Sequence, residues 1–212
     1  MHFREDFCGT FALAADFARR GEDRKAYGID IDAKVLAAGK KLRADEGTPV
    51  KSIALVKGDV LKSPLAKADI ACALNFSYCV FHDRPSLKKY LERCRKAFRQ
   101  GGVFMLDCLP GIDTTGGVET EFDLGEFCYG WEQAAFDPIT RRALYYMHFT
   151  LPDGSVKRRA FRYDWRLWTV PELRDLLEEV GFDDVEVFWS GGEKEDASGA
   201  ASVAILAYKN AR

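Results

Sequence analysis

No apolar run of the ~18 residues that a membrane-crossing helix needs occurs in this sequence, and its start lacks the basic-then-apolar pattern of a secretory leader. The expectation is a cytoplasmic protein without a membrane partner. Histidine is scarce, with His2, His82 and His148 far apart, so no zinc or other metal site is expected. The six cysteines (Cys8, Cys72, Cys79, Cys94, Cys108, Cys128) form no CxxC pair. Several lie in apolar, strand-like stretches, where a thiol behaves as a small buried hydrophobe, and reduced cytosolic thiols fit that usage. A positive excess is missing too: the net charge of −2 argues against a general nucleic-acid binder. Only "VKRRAFRYDWR", Val156 to Arg166, concentrates positive charge.

The scarcity that bears most on function is local. "REDFCGTFALA", Arg4 to Ala14, sits where a first strand would turn into a first helix, and it contains a single glycine, Gly9. Loops that cradle phosphates use several glycines, so that backbone N–H groups can approach the anion at a helix N-terminus. Here Glu5 and Asp6 stand beside the loop instead, and neither favours a pyrophosphate. An acidic rim attracts positive charge, which turns the expectation from NAD toward the sulfonium and amine of S-adenosylmethionine.

What is present is an alternation of strands and helices over the first hundred residues. A strand ends near Glu5 or Asp6, and "TFALAADFARRG" sets Phe11, Ala14, Ala15 and Ala18 on one helical face ended by Gly21. "KAYGID" reads as a strand, and "DAKVLAAGKKLRADEG" as a helix capped by Asp32 and stopped at Gly47. "SIALVKGD" and "KADIACALNF" read as the third and fourth strands, the latter apolar enough to be covered on both faces. "RPSLKKYLERCRKAFRQGG" spaces Leu87, Leu91, Cys94 and Phe98 for one helical face closed by Gly101, and "VFMLDCL" is the fifth strand. From about residue 118 to Trp168 the pattern becomes aromatic and alternating, with turns at "DPIT" and "PDGS". This predicts an inserted antiparallel meander of three strands over 118–168, within a single domain of 1–212. A helix over "VPELRDLLEEVGF", with Pro171 in its first turn and Gly181 at its end, and strands at "VEVFW" and "SVAILAYK" complete the chain. The polar "SGGEKEDASGA" between those strands reads as a mobile hairpin loop. The fold expected is α/β: a doubly wound, seven-stranded, mostly parallel sheet with an antiparallel last strand, plus the meander after strand 5.

Candidate ligand residues follow from the strand ends. Asp30 closes the second strand about 20 residues beyond the loop, where an acid can accept from both ribose hydroxyls. Asp59 of "KGDV" ends the third strand; it can accept from an adenine amino group, or simply form a Gly-Asp turn. Asn75, Ser77 and Tyr78 follow the fourth strand.

With these residues in place, the chain resembles the class I S-adenosylmethionine-dependent methyltransferases, of the kind that act on small molecules. The resemblance rests on "EDFCGT…GIDID…GDV", on "GGVFMLD" and on "WTVPELRDLLEEVGFDDVEVF". It implies S-adenosylmethionine as cofactor, bound by Glu5, Phe7, Cys8, Gly9, Asp30, Ile31, Asp59, Val60, Asn75 and Phe76, with Phe7 and Phe11 where that family commonly has glycine. It also implies a helical cover of some tens of residues ahead of the first strand; since Met1 falls at that strand, the expectation is either that the cover is absent or, the favoured reading, that this sequence is a truncated or alternatively started form.

Methyl transfer is an in-line displacement that asks for positioning, desolvation and sometimes a base; no catalytic residue stands out. Cys8 is read as part of the cofactor turn and not as a nucleophile. The acceptor is expected under the meander, near Tyr78, His82, Trp131, Tyr145, Arg162 and Trp165. Aromatic walls suit a cationic amine, whereas Arg159 or Arg162 suits a carboxylate or phosphate. Trp131, Tyr145 and Trp165 can equally be the meander's own core, and His82, beside Asp83, a helix-start residue. The lead expectation is therefore transfer to N or O of a small molecule. RNA or protein methylation, non-catalytic cofactor binding, a homodimer packed through the aromatic meander and an NAD-dependent oxidoreductase stand as alternatives, with nucleic acid disfavoured by charge.

Overall fold

The computed structural model describes residues 1–46, 52–109, 118–189 and 203–210. The strand–helix alternation builds β1 (His2–Asp6), α1 (Ala12–Arg19), β2 (Lys25–Asp30), α2 (Ala33–Asp45), β3 (Ile53–Lys57) and β4 (Ala68–Ala73). A short 3₁₀ turn (Ser77–Val80) then leads into α3 (Arg84–Lys96) and β5 (Phe98–Cys108). An antiparallel sheet of β6 (Val118–Asp123), β7 (Cys128–Asp137), β8 (Arg142–Thr150) and β9 (Val156–Arg166) follows, before α4 (Val170–Glu179), β10 (Asp184–Trp189) and β11 (Val203–Lys209).

The main sheet has seven strands in the order β3-β2-β1-β4-β5-β11-β10. β3, β2, β1, β4 and β5 run parallel, and β11 lies antiparallel to both its neighbours. The order reverses between β1 and β4, so the loops leaving these two strands diverge and open a crevice at the carboxyl edge. Helix caps follow the sequence signals. Asp32 accepts from Lys34 N at 2.7 Å, Asp83 from Ser86 N at 2.8 Å, and Thr169 with Glu172 closes a capping box. α1 differs, because its N-cap, Phe11, offers no side-chain acceptor.

Two expectations change. The helix read through Phe98 ends at Lys96 instead, and Phe98 opens β5, pairing with Ala68 and packing its ring against Phe104 and Phe182. Gly101, at φ 74°, serves a bulge between Phe98 and Val103 and does not close a helix. The meander has four strands and not three: β6 joins it along β7, from Val118 opposite Gln133 to Asp123 opposite Cys128. Gly47 as a helix stop and the hairpin loop at 190–200 lie outside the described residues.

Candidate active site

The β1–α1 loop keeps a glycine-rich loop's backbone without its glycines. Phe7 (φ 56°), Gly9 (φ 51°) and Phe11 (φ 47°) are all left-handed. For a residue with a Cβ this conformation costs roughly 1–2 kcal/mol. Ring burial offsets the cost, since Phe11 is buried beneath the loop and Phe7 packs edge-on to Phe81 and Tyr90. The space comes from glycines elsewhere in the chain. A Cβ on Gly28 of β2 would stand 2.8 Å from Cys8 Sγ, and one on Gly39 of α2 would stand 2.8 Å from the Thr10 backbone.

Two carboxylates brace the loop. Glu5, buried beneath it, accepts from Ala14 N at 2.8 Å and so caps α1 from the strand. Burial pushes its pKa up to about 7, against the pull of the amide bonds and of Arg43. Asp30 accepts from Gly9 N and from Asp32 N, one on each oxygen, both at 2.8 Å. An ionised carboxylate has about four acceptor positions, so further capacity remains on Asp30. Burial raises the Cys8 thiol well above its ordinary pKa, the state of an inert thiol.

The neighbouring strand ends repeat the device. Asp59 accepts from Leu61 N at 2.8 Å and so forms a turn, which Arg93 fixes by donating to Val60 O at 2.9 Å; the turn-forming role anticipated for Gly-Asp is the one seen. Val60 is buried, whereas Ile31 is 68% exposed at the crevice rim. After β4, Asn75 and Phe76 are both left-handed (φ 55°). Their N–H groups donate to the two oxygens of Asp107, at 2.7 and 3.0 Å. Asp107, the penultimate residue of β5, was not singled out from sequence. A carboxylate closing an apolar strand is the signal that could have found it. Burial raises its pKa, and the two amide bonds oppose the shift. Below the crevice, Arg4 and Asp6 form a buried ion pair (2.9 Å) completed by Tyr90 Oη at 2.8 Å. Sequence reasoning missed this pair as well, because charged residues in a short strand ordinarily point to solvent.

The sheet of β6–β9 supplies an aromatic wall. Trp131 lies 5.0 Å from Tyr145, 5.5 Å from Tyr163 and 5.9 Å from Trp165 between ring centroids. Trp165 in turn meets Phe76 edge-on at 6.0 Å, joining the wall to the strand ends. Tyr145 and Trp165 are buried and belong to this sheet's core, whereas Trp131 and Tyr163 are half-buried. Tyr78 is buried too, and its Oη donates to Asp107 O at 2.7 Å. His82 reaches β9, with Nε2 2.8 Å from Asp164 O, and Trp168 Nε1 donates to Phe81 O. Arg162 is not brought to the wall. It alternates onto the opposite face of β9, 57% exposed at its side chain, and pairs with Asp164.

The arrangement decides between ligands. The N–H groups of Gly9, Asp32, Asn75 and Phe76 are already given to carboxylates, and Gly9 is the loop amide that a phosphate would otherwise draw on. A crevice edged by Asp30, Asp59 and Asp107 fits a cationic, phosphate-free nucleoside, with Asp30 free to accept ribose hydroxyls. S-adenosylmethionine is such a nucleoside.

Residues 7–102 match the family model described as a methyltransferase domain. No curated protein matches the chain in sequence. Solved structures do match in fold. An S-adenosylmethionine-dependent methyltransferase from Clostridium acetobutylicum superposes with TM-score 0.76 at 18% identity, covering 99% of this chain and 84% of its own. A methyltransferase from Streptomyces caelestis gives 0.76 at 16%, covering 99% and 83%. An amino pentose methyltransferase from Micromonospora echinaspora, solved with S-adenosylmethionine bound, gives 0.69 at 16%, again covering 99% and 83%. The first half of the chain thus matches a methyltransferase domain, and the whole chain shares the fold of S-adenosylmethionine-dependent methyltransferases.

Proposed function

We propose that the protein methylates the nitrogen of a small-molecule amine. Bound S-adenosylmethionine supplies a methyl group activated by positive sulfur. The chain positions the acceptor in line and excludes water around it. The observation that carries the nitrogen reading is how the substrate-side sheet spends its cations. Arg142 and Arg162 hold Asp164, Arg158 faces Glu119, Arg159 holds Glu132, Arg166 holds Glu172, and Arg141 donates to Leu167 O. An acceptor bearing carboxylate or phosphate would have to displace one of these partners or reach out to Lys157, exposed near the start of β9. The half-buried faces of Trp131 and Tyr163 instead suit an ammonium group through cation–π attraction. In support, fold neighbours include the amino pentose methyltransferase above and a sugar N-methyltransferase from Streptoalloteichus.

On this reading Asp30, Gly9, Ile31 and the Asn75–Phe76 bend form the cofactor side, and Trp131, Tyr163 and Trp165 the acceptor side. The amine must shed a proton to present its lone pair, and no described side chain is assigned that task. Six free cysteines fit a cytoplasmic setting. Matched panels of amino sugars and their hydroxyl parents, incubated with methyl-labelled S-adenosylmethionine, test the reading. Label is expected on the amine members. Transfer confined to hydroxyls, or to RNA, would overturn the nitrogen assignment.

A further inference from the structure

We infer that Asp107 is a positioning residue for cofactor binding, acting by holding Asn75 and Phe76 in a left-handed bend. The inference rests on the methyltransferase reading and adds a residue to it. Two successive non-glycine residues sit at φ 55°, a conformation that asparagine tolerates but that Phe76 adopts against its backbone preference. What holds them is a single carboxylate, with one oxygen on each N–H (2.7 and 3.0 Å), half-buried at the end of the adjacent parallel strand. Withdrawal from water strengthens both bonds. The bend lies at the carboxyl edge of β4, on the crevice where the strand order reverses.

Both sides of the site depend on this one clamp. Asn75 is exposed, while Phe76 is turned onto Trp165, the member of the aromatic wall it meets edge-on. The Asp107 carbonyl also receives Tyr78 Oη at 2.7 Å, which ties the following turn to the same residue. An extended residue 75 would direct the chain away from the crevice and withdraw Phe76 from Trp165. Asp30 makes the matching arrangement across the crevice with Gly9 and Asp32, so each diverging loop is held by the acid of a neighbouring strand.

The test is calorimetric titration with S-adenosylhomocysteine, with thermal melting followed in parallel. Asp107→Asn keeps the shape but places an amide NH₂ against one of the two N–H donors, and is expected to raise Kd at least about tenfold. In that background Asn75→Gly and Asn75→Ala both lack the Asn side chain and differ only in tolerance of positive φ. The glycine variant is expected to bind about fivefold or more tighter than the alanine one. Unchanged Kd in Asp107→Asn would overturn the inference. So would equal affinities for the glycine and alanine pair, since Asp107 would then act otherwise than through the bend. If Asp107→Asn does not fold, the same glycine–alanine comparison with Asp107 intact decides, because Asn75 is exposed and its replacement leaves the core alone. Absence of binding by the unaltered protein would instead remove the methyltransferase reading on which the inference stands.

Discussion

Asp30 and Asp107 do here what glycines do in other nucleotide-binding loops: they stabilise tight left-handed turns, through carboxylates on N–H groups where glycine would supply freedom of φ, while Glu5 caps α1 from the strand. The exchange makes the turns acidic, and it makes single residues costly to lose. Asp30→Ala removes the acceptor of Gly9 N as well as the expected ribose acceptor. Losing hydrogen bonds to a charged group costs roughly 1.5–3 kcal/mol, so affinity for S-adenosylhomocysteine should fall at least about tenfold; a loss within threefold would contradict the ribose role. Glu5 links the loop to pH. Its folded pKa of about 7 lies above the ordinary 4.5, so the native state holds the proton more tightly than the unfolded chain between those values. Stability contributed by this group is therefore full below about pH 4.5 and is lost as pH rises to about 7. Melting temperature in cofactor-free protein should drop by several degrees from pH 5 to pH 8 on this account. The drop should shrink in Glu5→Gln, whose amide oxygen still accepts from Ala14 N, and an unaltered drop would show that Glu5 is not its source.

At the scale of elements, the loop's room is made by its neighbours. Gly39→Ala in α2 improves helix propensity by about 1 kcal/mol, yet its Cβ would press on Phe11 Cε1 at 2.7 Å and on the Thr10 backbone at 2.8 Å. The clash should win: overpacking costs about 1–3 kcal/mol, and melting should fall by several degrees together with cofactor affinity. A rise in melting temperature would mean that the loop moves aside freely. These supports were only partly legible in sequence. Asp30 and Asp59 stood out because each follows a compact apolar strand at a telling interval, and the Asp32 cap because capping is local chemistry. The end of α3 did not stand out, since Phe98 falls at a helical interval from Leu91 and Cys94 and only pairing with Ala68 draws it into β5. β6 escaped notice because "VETEFD" carries three acids in six residues and reads as loop until β7 lies alongside it. The Arg4–Asp6 pair and the Asp107 clamp depend on partners 84 and 31–32 residues away respectively, a range that local pattern does not reach.

For the whole molecule, the proposed function divides the labour between the two sheets, with cofactor binding at the carboxyl edge of the mostly parallel sheet and the acceptor wall on the antiparallel one. The basic stretch at Val156–Arg166 looked in sequence like a phosphate-binding patch. In the fold its arginines answer Glu119, Glu132, Asp164 and Glu172, so retention on immobilised RNA should be weak and nearly independent of salt. A retention that falls steeply with salt would return RNA to consideration as the acceptor. Everything above turns on the crevice between β1 and β4, whose amides are committed to carboxylates. Calorimetric titration of the unaltered protein with S-adenosylhomocysteine and, separately, with NAD measures that commitment directly. Saturable one-to-one binding of S-adenosylhomocysteine with no detectable heat from NAD is the predicted result, and binding of NAD, or of neither, would contradict it.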